Sequence, residues 1–148
     1  MSDLTITDLW FKRAVPSPTK KNFHVQHGVH FEEVGEMIEQ LAGADAVSEN
    51  FVREIEFQIK RLATALKTGQ IEIAIKDRKE YLDALCDQIV TATGCGHTAA
   101  VNVPKGLERV NASNFSKFDE NGMPIFDENG KIAKNMATYK KADFEGLY

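Results

Sequence analysis

Apolar positions recur along most of this chain at the three- and four-residue spacing of amphipathic helices. Leu4, Ile6, Leu9, Trp10 and Phe11 fall in a short first helix, from about Thr5 to Ala14, which Pro16-Ser17-Pro18 breaks. Phe31, Val34, Ile38 and Leu41 predict a second helix, from about Phe23 to Leu41, stopped at Gly43. In the third, Ser48 is placed to cap and Phe51, Ile55, Ile59, Leu62 and Leu66 form one stripe ending at Thr68-Gly69. Ile71 to Ile75 alternates like a strand without an evident partner, so it reads as a connector or a helix start. Asp77 and Glu80 have capping-box spacing, and the helix behind them uses Tyr81, Leu82, Leu85, Ile89 and Ala92. Nothing forces it to stop at Gly94 or Gly96, which extends it to about Val101. Asn102 and Pro104 suit a fresh start, with Leu107 and Val110 as a small apolar face.

After Asn111 the periodicity stops. Phe118-Asp-Glu-Asn-Gly122 recurs as Phe126-Asp-Glu-Asn-Gly130, and Asn-Gly is a strong turn signal, so Met123 to Phe126 is expected to be a short strand between two tight turns. Lys117, Lys131, Lys134, Lys140 and Lys141 give this tail a basic look. The pattern therefore predicts an all-α fold: four to five helices and an irregular basic C-terminal arm over residues 113–148, within a single domain 1–148.

Composition narrows the function. At 148 residues with a hydrophobic fraction of 43%, the chain has material for one core. A net charge of −4, from 18 Lys+Arg against 22 Asp+Glu, disfavours nucleic acid as the main partner. No apolar run reaches the ~20 residues that span a bilayer. Met1-Ser-Asp-Leu-Thr5 lacks the basic flank and apolar stretch of a secretory signal. Cys86 and Cys95 on one helix would stand ~13 Å apart on opposite faces, which excludes a disulfide between them. A cytoplasmic location is the expectation, with no membrane partner.

Two helices carry acidic stripes. Glu32, Glu33, Glu36 and Glu39 lie on the second; at about 100° per residue, Glu33 and Glu36 share a flank away from Phe31, Val34 and Ile38. Glu80, Asp83 and Asp87 fall within about 60° on the fourth. Like charges at this spacing cost a few tenths of a kcal/mol per pair, which a divalent cation would offset. Mg²⁺ suits carboxylate oxygens and retains waters that a phosphate-bearing substrate can displace. The alternative reading of each stripe is a solvated face, with Asp77 and Glu80 serving the helix dipole.

These residues resemble a known family. Glu32-Glu33-Val34-Gly35-Glu36 is similar to the E-E-x-x-E motif of the all-α nucleoside triphosphate pyrophosphohydrolases, the MazG-like and phosphoribosyl-ATP pyrophosphohydrolase-like group, and Glu80-Tyr81-Leu82-Asp83 resembles its E-x-x-D partner motif. Ser113-Asn114 with Lys117, then Gly130-Lys131 and Lys134, resemble the S-N-x-x-K and G-K-x-x-K ending of the phage and bacterial members. The resemblance covers about residues 23 to 144. It implies a MazG-like bundle whose core is completed by homo-oligomerisation, as a dimer or tetramer. It implies hydrolysis of a (deoxy)nucleoside triphosphate, dUTP and dGTP among the candidates, to the monophosphate and pyrophosphate, in nucleotide pool control or phage-type DNA precursor metabolism. Carried over residue by residue, Glu33, Glu36, Glu80 and Asp83 would bind Mg²⁺ or Mn²⁺, while Glu32 and Glu33 would serve catalysis, Glu32 by supporting the metal from behind or orienting the water. Ser113, Asn114, Lys117, Lys131 and Lys134 would bind substrate. Asp83 with Asp87 is an alternative ligand pair. A phosphoribosyl-ATP pyrophosphohydrolase is a variant of this reading, and a catalytically silent helical oligomerisation or regulatory module is its rival from another class.

Other signals have plainer readings. His24, His27 and His30 recur every three residues but lean toward the apolar side, so packing or a base contact is expected ahead of metal binding. Trp10, Phe11 and Tyr139 can stack on a nucleobase, with core or interface packing as the default. The Asp-Glu-Asn-Gly repeats lack the ligand order of an EF-hand loop and read as turns.

Overall fold

Each of the five predicted helices forms, and local chemistry at the ends sets where. The computed structural model describes residues 1–128 and 131–148; the second Asn-Gly turn, Asn129-Gly130, lies outside the described residues, and with it Gly130 of the G-K-x-x-K ending. The helices are α1 (Asp3–Ala14), α2 (Lys20–Glu39), α3 (Ala46–Lys67), α4 (Arg78–Thr98) and α5 (Val103–Phe115). By its own contacts the chain gathers into two compact units, Ser17–Ile75 and Met1–Pro16 with Lys76–Tyr148.

Several boundaries differ from the sequence reading for identifiable reasons. α2 begins at Lys20 because Thr19 and Asn22 form a reciprocal capping box ahead of Phe23. Asp45, not Ser48, caps α3: its carboxylate accepts from the Ser48 N–H at 2.7 Å, so Ser48 is already inside the first turn. Asp77 caps α4 through the N–H groups of Lys79 and Glu80, while the Glu80 carboxylate lies 4.0 Å from Lys79 Nζ. α3 and α4 end in the same pair of hydrogen bonds: Gly69 to Leu66 and Gln70 to Ala65 in one, Ala100 to His97 and Val101 to Gly96 in the other. Gly69 takes the left-handed seat that this ending requires (φ 73°). In α4 the seat is held by Ala100 (φ 60°), so no glycine marked the stop at Thr98 in the sequence.

In the unit Ser17–Ile75, α2 and α3 pack as an antiparallel pair. The buried α2 positions are small or polar, His24, Gly28 and Gly35, and a Cβ on Gly28 would stand 2.8 Å from the Ala63 carbonyl oxygen. On α3, Ala63 and Leu66 are buried, with Glu56 and Ile59 half-buried beside them. The predicted α3 stripe is therefore divided: Ile59 and Leu66 pack toward α2, while Phe51, Ile55 and Leu62 remain exposed. Arg53 closes the turn by donating to the Ile38 and Leu41 carbonyl oxygens that end α2, and Glu49 accepts from the Gly43 N–H at 2.6 Å. Residues 71–75 form no strand; the Ile73 N–H donates to His24 Nε2 at 3.1 Å and Glu72 pairs with Lys20 at 2.6 Å, so this is a connector tied to α2.

In the other unit, Trp10 and Ala14 of α1 pack with Phe118, flanked by Val15, Phe115 and Ile132. The Trp10 indole N–H donates to the Asn114 carbonyl at 2.9 Å. Buried Asn111 joins α5 to α1 by accepting from the Thr7 hydroxyl (2.8 Å) and donating to the Asp3 carbonyl (3.0 Å). α5 runs to Phe115, past the predicted end at Asn111, so Ser113 and Asn114 occupy its last turn. The eight-residue echo is also structural. Asp119 and Met123 exchange an N–H···O bond that Asp127 and Lys131 repeat, and each Asp side chain accepts from the N–H of the same partner. Gly122 at φ 73° completes the first turn. Only an isolated bridge, Phe126 to Ile132, represents the expected strand among the described residues.

The arm is also less basic than its lysines imply. Asp119, Glu120, Asp127, Glu128, Asp143 and Glu145 outnumber the five lysines in the same stretch, so the segment carries no cationic excess.

Candidate metal and nucleotide site

On α2 the four acids have different surroundings. Glu32 pairs with Lys67 at 2.7 Å and Glu39 with Lys60 at 2.9 Å. Both acids are seven residues apart, as are both lysines, which is how two antiparallel helices match charge along one edge. Lys60 also holds Glu56, whose side chain is only 15% exposed, at 2.7 Å. That hydrogen bond, aided by the charge of Arg53, holds the Glu56 carboxyl below its ordinary range. The hydrogen bonds from Glu39 and then Glu56 raise Lys60. Lys60 and Lys67 are the partners that the sequence reading missed, and their matching spacing was the available signal.

Glu33 and Glu36 are exposed. On α4, Glu80, Asp83 and Asp87 are all exposed, together with Val90 on the same side. Among the described residues no group of three or more His, Cys, Asp or Glu stands close enough to hold a metal ion. The donor type nevertheless fits Mg²⁺. Each helix offers two hard carboxylates three residues apart on an accessible face, and Mg²⁺ is commonly held by one or two carboxylates plus substrate phosphates rather than by an all-protein cage.

The proposed substrate residues belong to the other unit's α5–arm junction. Ser113 is buried, and its carbonyl accepts from the Ser116 hydroxyl at 2.6 Å. The Asn114 side-chain oxygen accepts from Lys117 Nζ at 2.8 Å, and that ammonium lies 5.8 Å from the Trp10 ring centroid. Lys134 Nζ lies 5.0 Å over the Tyr139 ring, and Lys131 is exposed. Ser113, Asn114 and Lys117 are thus within one stretch that also anchors α5 to α1.

The remaining candidates are structural in their visible contacts. His24 is buried against Ile73, and His27 Nδ1 lies 2.7 Å from the Phe23 carbonyl. Trp10 is core, stacked on Phe118 with ring centroids 5.7 Å apart. Cys86 and Cys95 are free and exposed. No described helix is long and apolar enough to cross a membrane. Comparison with protein-family models, curated proteins and solved structures gives no match to this chain.

Proposed function

We propose that this protein is a Mg²⁺-dependent nucleoside triphosphate pyrophosphohydrolase acting as a homo-oligomer on a (deoxy)nucleotide. The observation that carries the reading is the exposure of Glu33, Glu36, Glu80 and Asp83, which stand as two carboxylate pairs, each three residues apart, on accessible helix faces. Together with Glu32, these acids are the positions that resemble the E-E-x-x-E and E-x-x-D motifs.

In this reading Glu33 with Glu36, and Glu80 with Asp83, are the carboxylate pairs that would bind Mg²⁺; Mn²⁺ is a chemically similar substitute. The chemistry it supplies is charge neutralisation of the triphosphate and activation of water at neutral pH. Glu32, paired with Lys67, supports the metal from behind or orients the attacking water, and serves catalysis with Glu33. Lys117, kept in place by Asn114, and the accessible Lys131 and Lys134 supply point charges for the polyphosphate.

The rival is a catalytically silent helical oligomerisation module, which the exposed apolar residues of α3 and α4 favour. A nucleotide panel separates the two. Each NTP and dNTP, and phosphoribosyl-ATP, is incubated with the protein and Mg²⁺, and pyrophosphate is measured with and without EDTA. The enzyme reading expects EDTA-sensitive release from at least one nucleotide. No release from any of them favours the silent module.

A further inference from the structure

One buried titratable side chain takes no part in the proposed chemistry. His24 on α2 is 7% exposed, and its Nε2 stands before both backbone polar groups of one connector residue. It lies 3.1 Å from the Ile73 nitrogen and 3.3 Å from the Ile73 carbonyl oxygen. One ring nitrogen cannot serve both. Without a proton it accepts from the Ile73 N–H; with one it donates to the carbonyl, and the Ile73 N–H is left facing another N–H. Histidine is the side chain whose ordinary charge change falls between about pH 5 and pH 8.

The charges around His24 are few and paired. On α2 itself, Lys20 lies one turn earlier and pairs with Glu72 at 2.6 Å, and the Phe23 ring stands edge-on at 5.5 Å. On the connector, the Glu72 carboxyl is lowered by its hydrogen bond to Lys20 and the charge of that lysine, and it also feels the charge of His24. From α3, Lys67 reaches past Gly28 to pair with Glu32 at 2.7 Å. A proton on the imidazole therefore meets a carboxylate as well as an ammonium. At the connector's ends, the Gln70 N–H is bonded to the Ala65 carbonyl of α3 and Asp77 caps α4; His24 holds the backbone between them.

We infer that His24 is a proton-operated latch on this connector: the neutral ring holds Ile73 by its N–H, and the imidazolium releases the N–H and holds the carbonyl instead. The ring keeps one bond in either state, so the exchange alters the path of the connector rather than the stability of the fold. The inference concerns the connector alone and does not depend on the enzymatic reading.

NMR on the full chain tests it. Long-range ¹H–¹⁵N correlation reports which imidazole nitrogens carry protons. Amide exchange, corrected for its intrinsic pH dependence, reports the Ile73 N–H. At about pH 8 Nε2 is expected to be unprotonated and the Ile73 amide protected, and as His24 takes up its proton toward about pH 5 that protection falls about tenfold. The Gln70 amide, bonded to the Ala65 carbonyl, should keep its protection throughout. His24→Gln offers an amide oxygen that accepts without titrating and is expected to abolish the pH dependence at Ile73. A proton on Nε2 at the upper pH, an imidazole still neutral at the lower one, or an Ile73 amide indifferent to protonation of the ring overturns the inference. So does a pH-dependent loss that persists in His24→Gln, because another group then controls the connector.

Discussion

Glycine and alanine at two special positions show how single residues set this backbone. Gly28 interrupts the row of histidines in the sequence, yet in the fold it lies against Ala63 and Lys67 of α3 with no room for a Cβ. Gly28→Ala places a methyl group 2.8 Å from a carbonyl oxygen and 2.6 Å from Lys67 Cγ. The lysine stem can move, but the carbonyl belongs to a helix. Urea unfolding should show a loss of about 1–3 kcal/mol, and an unchanged midpoint would mean that the two helices adjust freely. Ala100 is the converse case, since an L-residue with a Cβ occupies a left-handed seat. Ala100→Gly should stabilise by about 1 kcal/mol in the same measurement; a destabilised variant would show that the α4 ending is not strained. Neither position was legible in the sequence. A glycine needed for close approach resembles one needed for a turn, and an alanine carries no mark of the conformation imposed on it.

Helices as elements were far more legible than their edges. Periodicity located all five because each has an apolar side, but caps depend on which of several nearby polar side chains reaches the free N–H groups. At α3 the carboxylate of Asp45 reaches them, and Ser48 does not have to. The stripe on α3 was visible as one band; its division into a covered and an uncovered half was not, because that depends on how wide the facing helix is. Gly28 and Gly35 narrow α2 on that side.

The α2–α3 edge also sets a pH dependence. The Ser48 N–H lowers Asp45 from its ordinary 3.8, and Lys60 followed by Arg53 lowers Glu56 from 4.5. A carboxyl lowered by folding contributes stability that is fully present above its unfolded value and is lost as pH falls through the folded one. Lys60, raised above 10.5 chiefly by Glu39, contributes below 10.5 and loses that contribution as pH rises through its folded value. The melting temperature followed by circular dichroism should therefore be level between these limits and decline below 4.5 and above 10.5. Lys60→Met should flatten both limbs. If the variant keeps the wild-type pH profile, Lys60 is not the source of either slope.

At the scale of the whole molecule, the all-α class follows from apolar spacing alone, and no described segment forms a regular strand. The candidate site was legible as a set of motifs and only partly as a set of roles. Nothing in the sequence marks Glu32 and Glu39 as facing lysines of α3, because an acid on a helix flank reads identically whatever faces it. Those lysines are more than twenty residues away. The arm illustrates a different limit: its lysines stand out as motif positions, while the six carboxylates that outnumber them belong to no motif and escape notice.

The central claim is that the exposed acids Glu36 and Asp83 serve the chemistry, whereas Glu39, paired with Lys60, holds the fold. Turnover of the best nucleotide substrate, followed by ³¹P NMR in Mg²⁺ for the wild type and the variants Glu36→Gln, Asp83→Asn and Glu39→Gln, measures this most directly. Monophosphate and pyrophosphate should form with wild type and with Glu39→Gln, whose loss is one of stability, while Glu36→Gln and Asp83→Asn, folded at least as stably as wild type, fall by more than about 100-fold. Wild-type rates in Glu36→Gln and Asp83→Asn would contradict the account.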